Sequence, residues 1–123
     1  MASISIQDEM FPEGECFGCG PTNSNGLQIK SFAKPDGSFG ATWVPNPEHS
    51  NGGGSVCGGI LSTILDCHAA GAASHALRAG AVTKEFSMKF TAPTPMEPLD
   101  LIARVVDRRS RSAEIEEIGR ASC

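Results

Sequence analysis

The chain has no tyrosine and one tryptophan, and aromatic residues fill 6% of its 123 positions. Positive charge is also scarce, with ten Lys and Arg against fourteen Asp and Glu, a net charge of -4 and a pI near 5.3. That balance has the wrong sign for a broad basic face gripping phosphate backbones, so nucleic acid is not an expected partner. No Lys or Arg occurs between Met1 and Glu15, which instead carries Asp8, Glu9, Glu13 and Glu15. The basic region of a signal or transit peptide is therefore missing. Nor is there an apolar run of the ~18 to 20 residues that a membrane span needs. The best candidate, Ile60 to Leu77, is interrupted by Asp66, His68 and His75. A cytoplasmic protein with no membrane partner is expected.

What is present fits one folded domain over residues 1–123: apolar residues make up 40% and charged residues 20%, too much core material for a disordered chain. The five cysteines are odd in number and irregular in spacing, which favours reduced thiols over a disulfide framework. Cys16-Phe17-Gly18-Cys19 is a CxxC. Zinc wants a second ligand pair, and redox chemistry wants the first Cys at a helix N-terminus after a strand. Neither context is visible, so these thiols read as small apolar side chains pinning a loop. No metal and no cofactor is expected.

Periodicity gives the elements. Gly26 to Phe32 alternates apolar and polar residues, Asp36-Gly37 is a hairpin signal, and Ser38 to Val44 supplies the returning strand. Pro45, Pro47 and Asn51-Gly52-Gly53-Gly54 then enforce a loop. From Gly58 onward Leu61, Ile64, Leu65, His68, Gly71, Ala72 and His75 recur at three and four, predicting a helix of about five turns closed by Gly80. Val82 to Phe90 reads as a strand between helix and solvent, and Leu99–Val106 and Ala113–Glu116 flank the basic turn Arg108-Arg109-Ser110-Arg111 as a second hairpin. Ile115 and Ile118 lie on opposite parities, which suggests a slip near Glu116-Glu117, and Ala121-Ser122 looks like the start of a further strand.

The chemistry concentrates around Asp66. Between His49 and Lys84 the only other charged residue is Arg78, at the far end of the helix. Neighbours of Asp66 at three and four are Ser62, Thr63, Ala69 and Ala70, with Gly59 one turn further, so the face around it is a floor of small residues. A carboxylate facing a cavity there can act as base or nucleophile. Gly58-Gly59 opens the helix with free N–H groups at the positive end of its dipole, suited to an oxyanion. A P-loop is excluded because no Lys-Ser or Lys-Thr follows the glycines, and a Gly-x-Ser-x-Gly elbow fails because Cys57 holds its last place. Eight positions separate Gly58 from Asp66, ~12 Å of helical rise. If the two act on one carbonyl, they come from two chains, as in a dimer with antiparallel central helices.

These residues resemble a known family. Asn51 to Asp66 is similar to the Asn-Gly...His-Gly-Gly...Asp signature of PaaI-like hotdog-fold acyl-CoA thioesterases. Cys16-Phe17-Gly18-Cys19-Gly20 with Asn23 and Gly26-Leu27 resembles the N-terminal signature of one branch of that superfamily, and Val82 to Phe90 with Pro93 resembles its strand after the helix. The resemblance implies an α+β hotdog fold, an antiparallel sheet wrapped around one long helix. It further implies a homodimer or homotetramer with acyl-CoA sites between subunits. By the same resemblance Asp66 is the catalytic acid, Gly58 the N–H donor to the thioester carbonyl, and Asn51 the group orienting acyl chain or water. Cys57, Gly59, Ser62 and Thr63 are the accompanying substrate-binding residues. Cys57 stands where the family usually has His, which keeps a non-catalytic acyl-CoA-binding module as the alternative. The family usually has a further full strand at the C-terminus, so the chain is expected to lack residues there, unless Cys123 closes a complete sheet. A hydratase would use a catalytic His beside the acid, and none lies on the Asp66 face. His68 and His75 read as core or interface residues. Lys84, Lys89 and the arginine turn read as solvated charge in preference to a clamp for the phosphates of coenzyme A.

Overall fold

The computed structural model describes residues 3–121. A short helix α1 (Ile6–Met10) is followed by β1 (Phe32–Ala33), β2 (Phe39–Trp43), a 3-10 turn at Pro47–His49, the long helix α2 (Gly58–Leu77), β3 (Leu99–Arg108) and β4 (Ala113–Ala121). The four strands form one antiparallel sheet in the order β1-β2-β3-β4, with α2 against one face. Alternation decides that face: Phe39, Ala41 and Trp43 of β2 lie opposite Ala103, Leu101 and Leu99 of β3, and all six are buried. Leu61, Ile64 and Cys67 of α2 complete this core with Leu27, Ile29 and Val56. Ile64 is fully buried, worth roughly 2–3 kcal/mol of burial.

The helix starts and ends for local reasons. Arg78 closes it in the left-handed region (φ 55°), two residues before the expected stop at Gly80. Ala79 N–H and Ala81 N–H then both return to Ser74, on its carbonyl and its hydroxyl. Arg108 Nε donates to Ala76 O at 3.1 Å, placing a cation at the negative end of the dipole. Inside, His68 Nε2–H donates to Phe39 O (3.0 Å) and Nδ1 accepts from Ser31 Oγ (2.7 Å), while Gln7 holds Ser31 through both its amide atoms. The carbonyl can only accept, so Nε2 carries the proton. Ser31 Oγ accepts from Gln7 and so has its own proton to give to Nδ1, and burial holds the His68 pKa below its usual value, favouring the neutral ring. His68 is a core residue, as the sequence suggested, and His75 packs edge-on against Phe39 at 5.4 Å.

Four expectations are corrected. The turn at Asp36-Gly37 forms, with Gly37 at φ 87°, but residues 26–31 do not make a strand. Their backbone is committed to the N-terminal loop instead, through Leu27 N–H to Phe17 O, Ile29 N–H to Gly18 O and Ile6 N–H to Ser31 O. The second hairpin forms with longer arms, and its register shift lies at Val106 in β3, not near Glu116-Glu117. Ile118 therefore points outward and is 56% exposed, while Glu117, opposite Ala103, is turned toward the helix. Ala121 closes β4 against Leu99, so it does not open another strand, and Ser122 and Cys123 lie outside the described residues. Finally, Val82 to Phe90 pairs with no strand among the described residues. A wide cleft separates it from β4, and Val82, Phe86 and Phe90 remain 94%, 46% and 57% exposed. α1 was not foreseen at all, although Ser5 caps it by accepting from Asp8 N–H at 3.0 Å, a standard start signal.

Candidate active site

The loop before α2 is built by Asn51 and three glycines. Asn51 N–H donates to Ser55 O, and its Oδ1 accepts from Gly53 N–H (2.7 Å) and Ser55 N–H (3.2 Å). Gly52 and Gly54 sit at φ 85° and 90°, where a side chain would be strained. The chain then enters the helix at Cys57, whose N–H goes to His49 O and whose thiol caps nothing. As a result the N–H groups of Gly58 and Gly59 donate to no acceptor among the described residues. The Phe90 ring overlies Gly58, 3.5 Å from where a Cβ would stand. An oxyanion donor at Gly58 is thus geometrically available.

Asp66 is half-buried two turns on. Its Oδ1 accepts from Thr83 Oγ1 at 2.5 Å, tying the acid to the segment after the helix. It lines a cleft of about 1900 Å³ between α2, residues 79–95 and β4, and Ala69, Ala70, Thr83 and Glu117 share the lining. Glu117 escaped sequence reasoning. Its Oε1 is buried with no hydrogen-bond partner among the described residues. Burial, and secondarily the Asp66 charge, push its pKa up to about 8. Sequence parity could not have found it, because Glu117 shares the parity of Ile115 but not of Ile118, and only the register opposite Ala103 turns it inward.

The cleft does not gather the whole expected set. Asn51, Cys57, Gly58, Gly59, Ser62 and Thr63 do not line it. Ser62 and Thr63 turn their hydroxyls back to Gly58 O and Gly59 O, both at 2.9 Å, and Ser62 also reaches Met88 Sδ. Within one chain the acid and the N–H donor therefore address different spaces. Of the basic residues, Arg108 is used at the helix end, Arg109 pairs with Asp107 at 3.6 Å, and Lys84, Lys89 and Arg111 border the cleft.

A second set of reactive side chains lies on another side of α2. Cys16, Cys19 and Cys67 converge there, and a hydrogen bond from Cys67 pushes the Cys19 thiol down to about 6.

Residues 53–118 match the family model of the thioesterase superfamily. A thioesterase superfamily protein from Shewanella loihica PV-4 superposes with a TM-score of 0.69 at 30% identity, over 80% of this chain and 85% of that one. A second thioesterase superfamily protein gives a TM-score of 0.70 at 23% identity, over 99% of this chain and 63% of that longer one. No protein of curated function matches. The long helix against an antiparallel sheet is accordingly the α+β hotdog architecture of these proteins.

Proposed function

The chain belongs to the thioesterase superfamily, and on that premise we propose that it hydrolyses an acyl-CoA thioester to a carboxylic acid and free coenzyme A, at sites shared by two copies of the chain. Superfamily membership suggests thioester hydrolysis, and the acyl-CoA substrate, the assembly of copies and a cytoplasmic setting are proposed with it. In the reaction Asp66 takes a proton from water as the water oxygen bonds to the thioester carbon, while the Gly58 N–H of the partner subunit stabilises the developing oxyanion. The C–S bond then breaks, and the departing thiolate takes up the proton held by Asp66, which restores the carboxylate. Asn51, whose Oδ1 is committed to its own loop, has its Nδ2 left to orient acyl group or water.

The observation that carries this reading is the separation of Asp66 from Gly58: the acid lines the cleft, and the free N–H lies ~12 Å along the same helix. Two symmetric copies supply what one lacks. The exposed stripe Val82, Phe86 and Phe90, in a segment that pairs with no strand among the described residues, is the kind of surface that a second copy covers. The cleft is also wider than the ~300–1,000 Å³ of a typical ligand site, as a site completed by assembly would be.

The test is thiol release from a panel of acyl-CoAs, run with the parent and Asp66→Asn, alongside sedimentation of both. An assembled parent that turns over, with Asp66→Asn slower by on the order of 10²–10⁴, is expected. A parent that binds acyl-CoA without hydrolysing it would instead be the non-catalytic module that Cys57 in place of His permits. Full rate in Asp66→Asn would overturn the assignment of the acid.

A further inference from the structure

The CxxC loop folds onto α2 so that a third thiol completes it. The Sγ atoms of Cys16, Cys19 and Cys67 all lie within 4.8 Å of one another, and Cys16 Sγ stands 3.7 Å from Cys67 Sγ. Three thiolates on a tetrahedral zinc ion, each at a Zn–S distance of ~2.3 Å, stand ~3.8 Å apart. The Cys16–Cys67 separation matches that spacing, the third sulfur lies within reach of the same ion, and all three cysteines are free thiols.

Backbone geometry imposes this convergence. Gly20 N–H donates to Cys16 O at 2.7 Å, curling the loop so that both its thiols point the same way. A Cβ on Gly20 would collide with the Cys16 backbone, and a Cβ on Gly18 with the Cys67 sulfur itself. Glycine at both positions lets the loop lie directly on the helix, and Leu27 N–H to Phe17 O and Ile29 N–H to Gly18 O brace it from behind. A loop merely packed by two small apolar residues needs none of this alignment with Cys67.

We propose that Cys16, Cys19 and Cys67 form a thiophilic metal site that takes one zinc ion per chain, with the fourth position on the exposed Cys16 side open to water or an exogenous thiolate. Cys67 is buried and Cys19 half-buried, so two ligands are held by the fold before the ion arrives. Binding displaces the thiol protons to solvent and leaves the sulfurs reduced throughout. The ion would clamp the N-terminal loop to the helix at the residue next to Asp66. The site went unread in the sequence because Cys67 stands alone there, 48 positions beyond Cys19. It stands independently of the proposed hydrolysis.

The test loads the reduced full chain with Co²⁺ or Zn²⁺. One equivalent of cobalt should give thiolate-to-cobalt charge-transfer absorption, zinc should displace it, and zinc should raise the melting temperature. Cys16→Ser, at an exposed position that leaves the core intact, should weaken binding at least about tenfold, as should Cys19→Ser, while Cys57→Ser should bind like the parent. A reduced parent that gives no cobalt band, or an undiminished band in both Cys16→Ser and Cys19→Ser, would overturn the site. So would a parent isolated reduced whose zinc binding disappears in Cys57→Ser.

Discussion

Asp66 on α2 and Glu117 on β4 reach one cleft from opposite walls, and the second acid is held largely protonated by its burial and by the charge of the first. Glu117 has its ordinary pKa of 4.5 when unfolded and about 8 when folded. Between those values the native state binds more protons than the unfolded one, so stability is fully present at low pH and is lost as pH rises toward 8. Glu117→Gln should abolish this decline, worth on the order of a few kcal/mol, in urea unfolding measured at pH 5 and pH 8. An unchanged decline in the variant would mean that another group carries it.

His68 works in the opposite direction. Its pKa is depressed from 6.5 by burial, so the unfolded state binds the extra proton, and stability falls as pH drops below about 6.5. Ser31→Ala leaves His68 Nδ1 and the Gln7 amide without their shared hydroxyl and should cost about 1–3 kcal/mol at pH 7. Denaturation of the Glu117→Gln variant, where the opposing decline is gone, should show the acid-side loss on its own.

On the proposed mechanism Thr83 positions Asp66. Its hydroxyl is exposed and donates to Asp66 Oδ1, so removing it should leave stability within about 0.5 kcal/mol while letting the carboxylate swing. Thr83→Val should lower kcat roughly tenfold with little change in KM, and Thr83→Ser should restore most of the rate. Equal rates in Thr83→Val and the parent would show that Asp66 is oriented by something else.

Local signals carried well for α2. Its small and apolar residues at three and four predicted a helix of about five turns, and it runs from Gly58 to Leu77. The hairpin of β3 and β4 was equally legible, because alternation and a polar turn are properties of neighbours in sequence. Residues 26–31 alternate just as well and still make no strand, because the N-terminal loop competes for their backbone groups. In the site, Asp66 was legible as a solitary charge on a helix, whereas Glu117 was hidden among three acids of β4 until the register showed which one points inward.

The sequence by itself determined the long helix, its lone acid, its glycine-rich N-terminus and the antiparallel hairpin after it, since each rests on periodicity or on residue chemistry within a few positions. Tertiary structure alone decided which residues meet. It set Glu117 beside Asp66, left Gly58 outside their cleft, and brought Cys67 to Cys16 and Cys19. Those meetings depend on strand register and on how closely a loop can approach a helix, and both are settled by packing between distant segments, which local pattern does not encode.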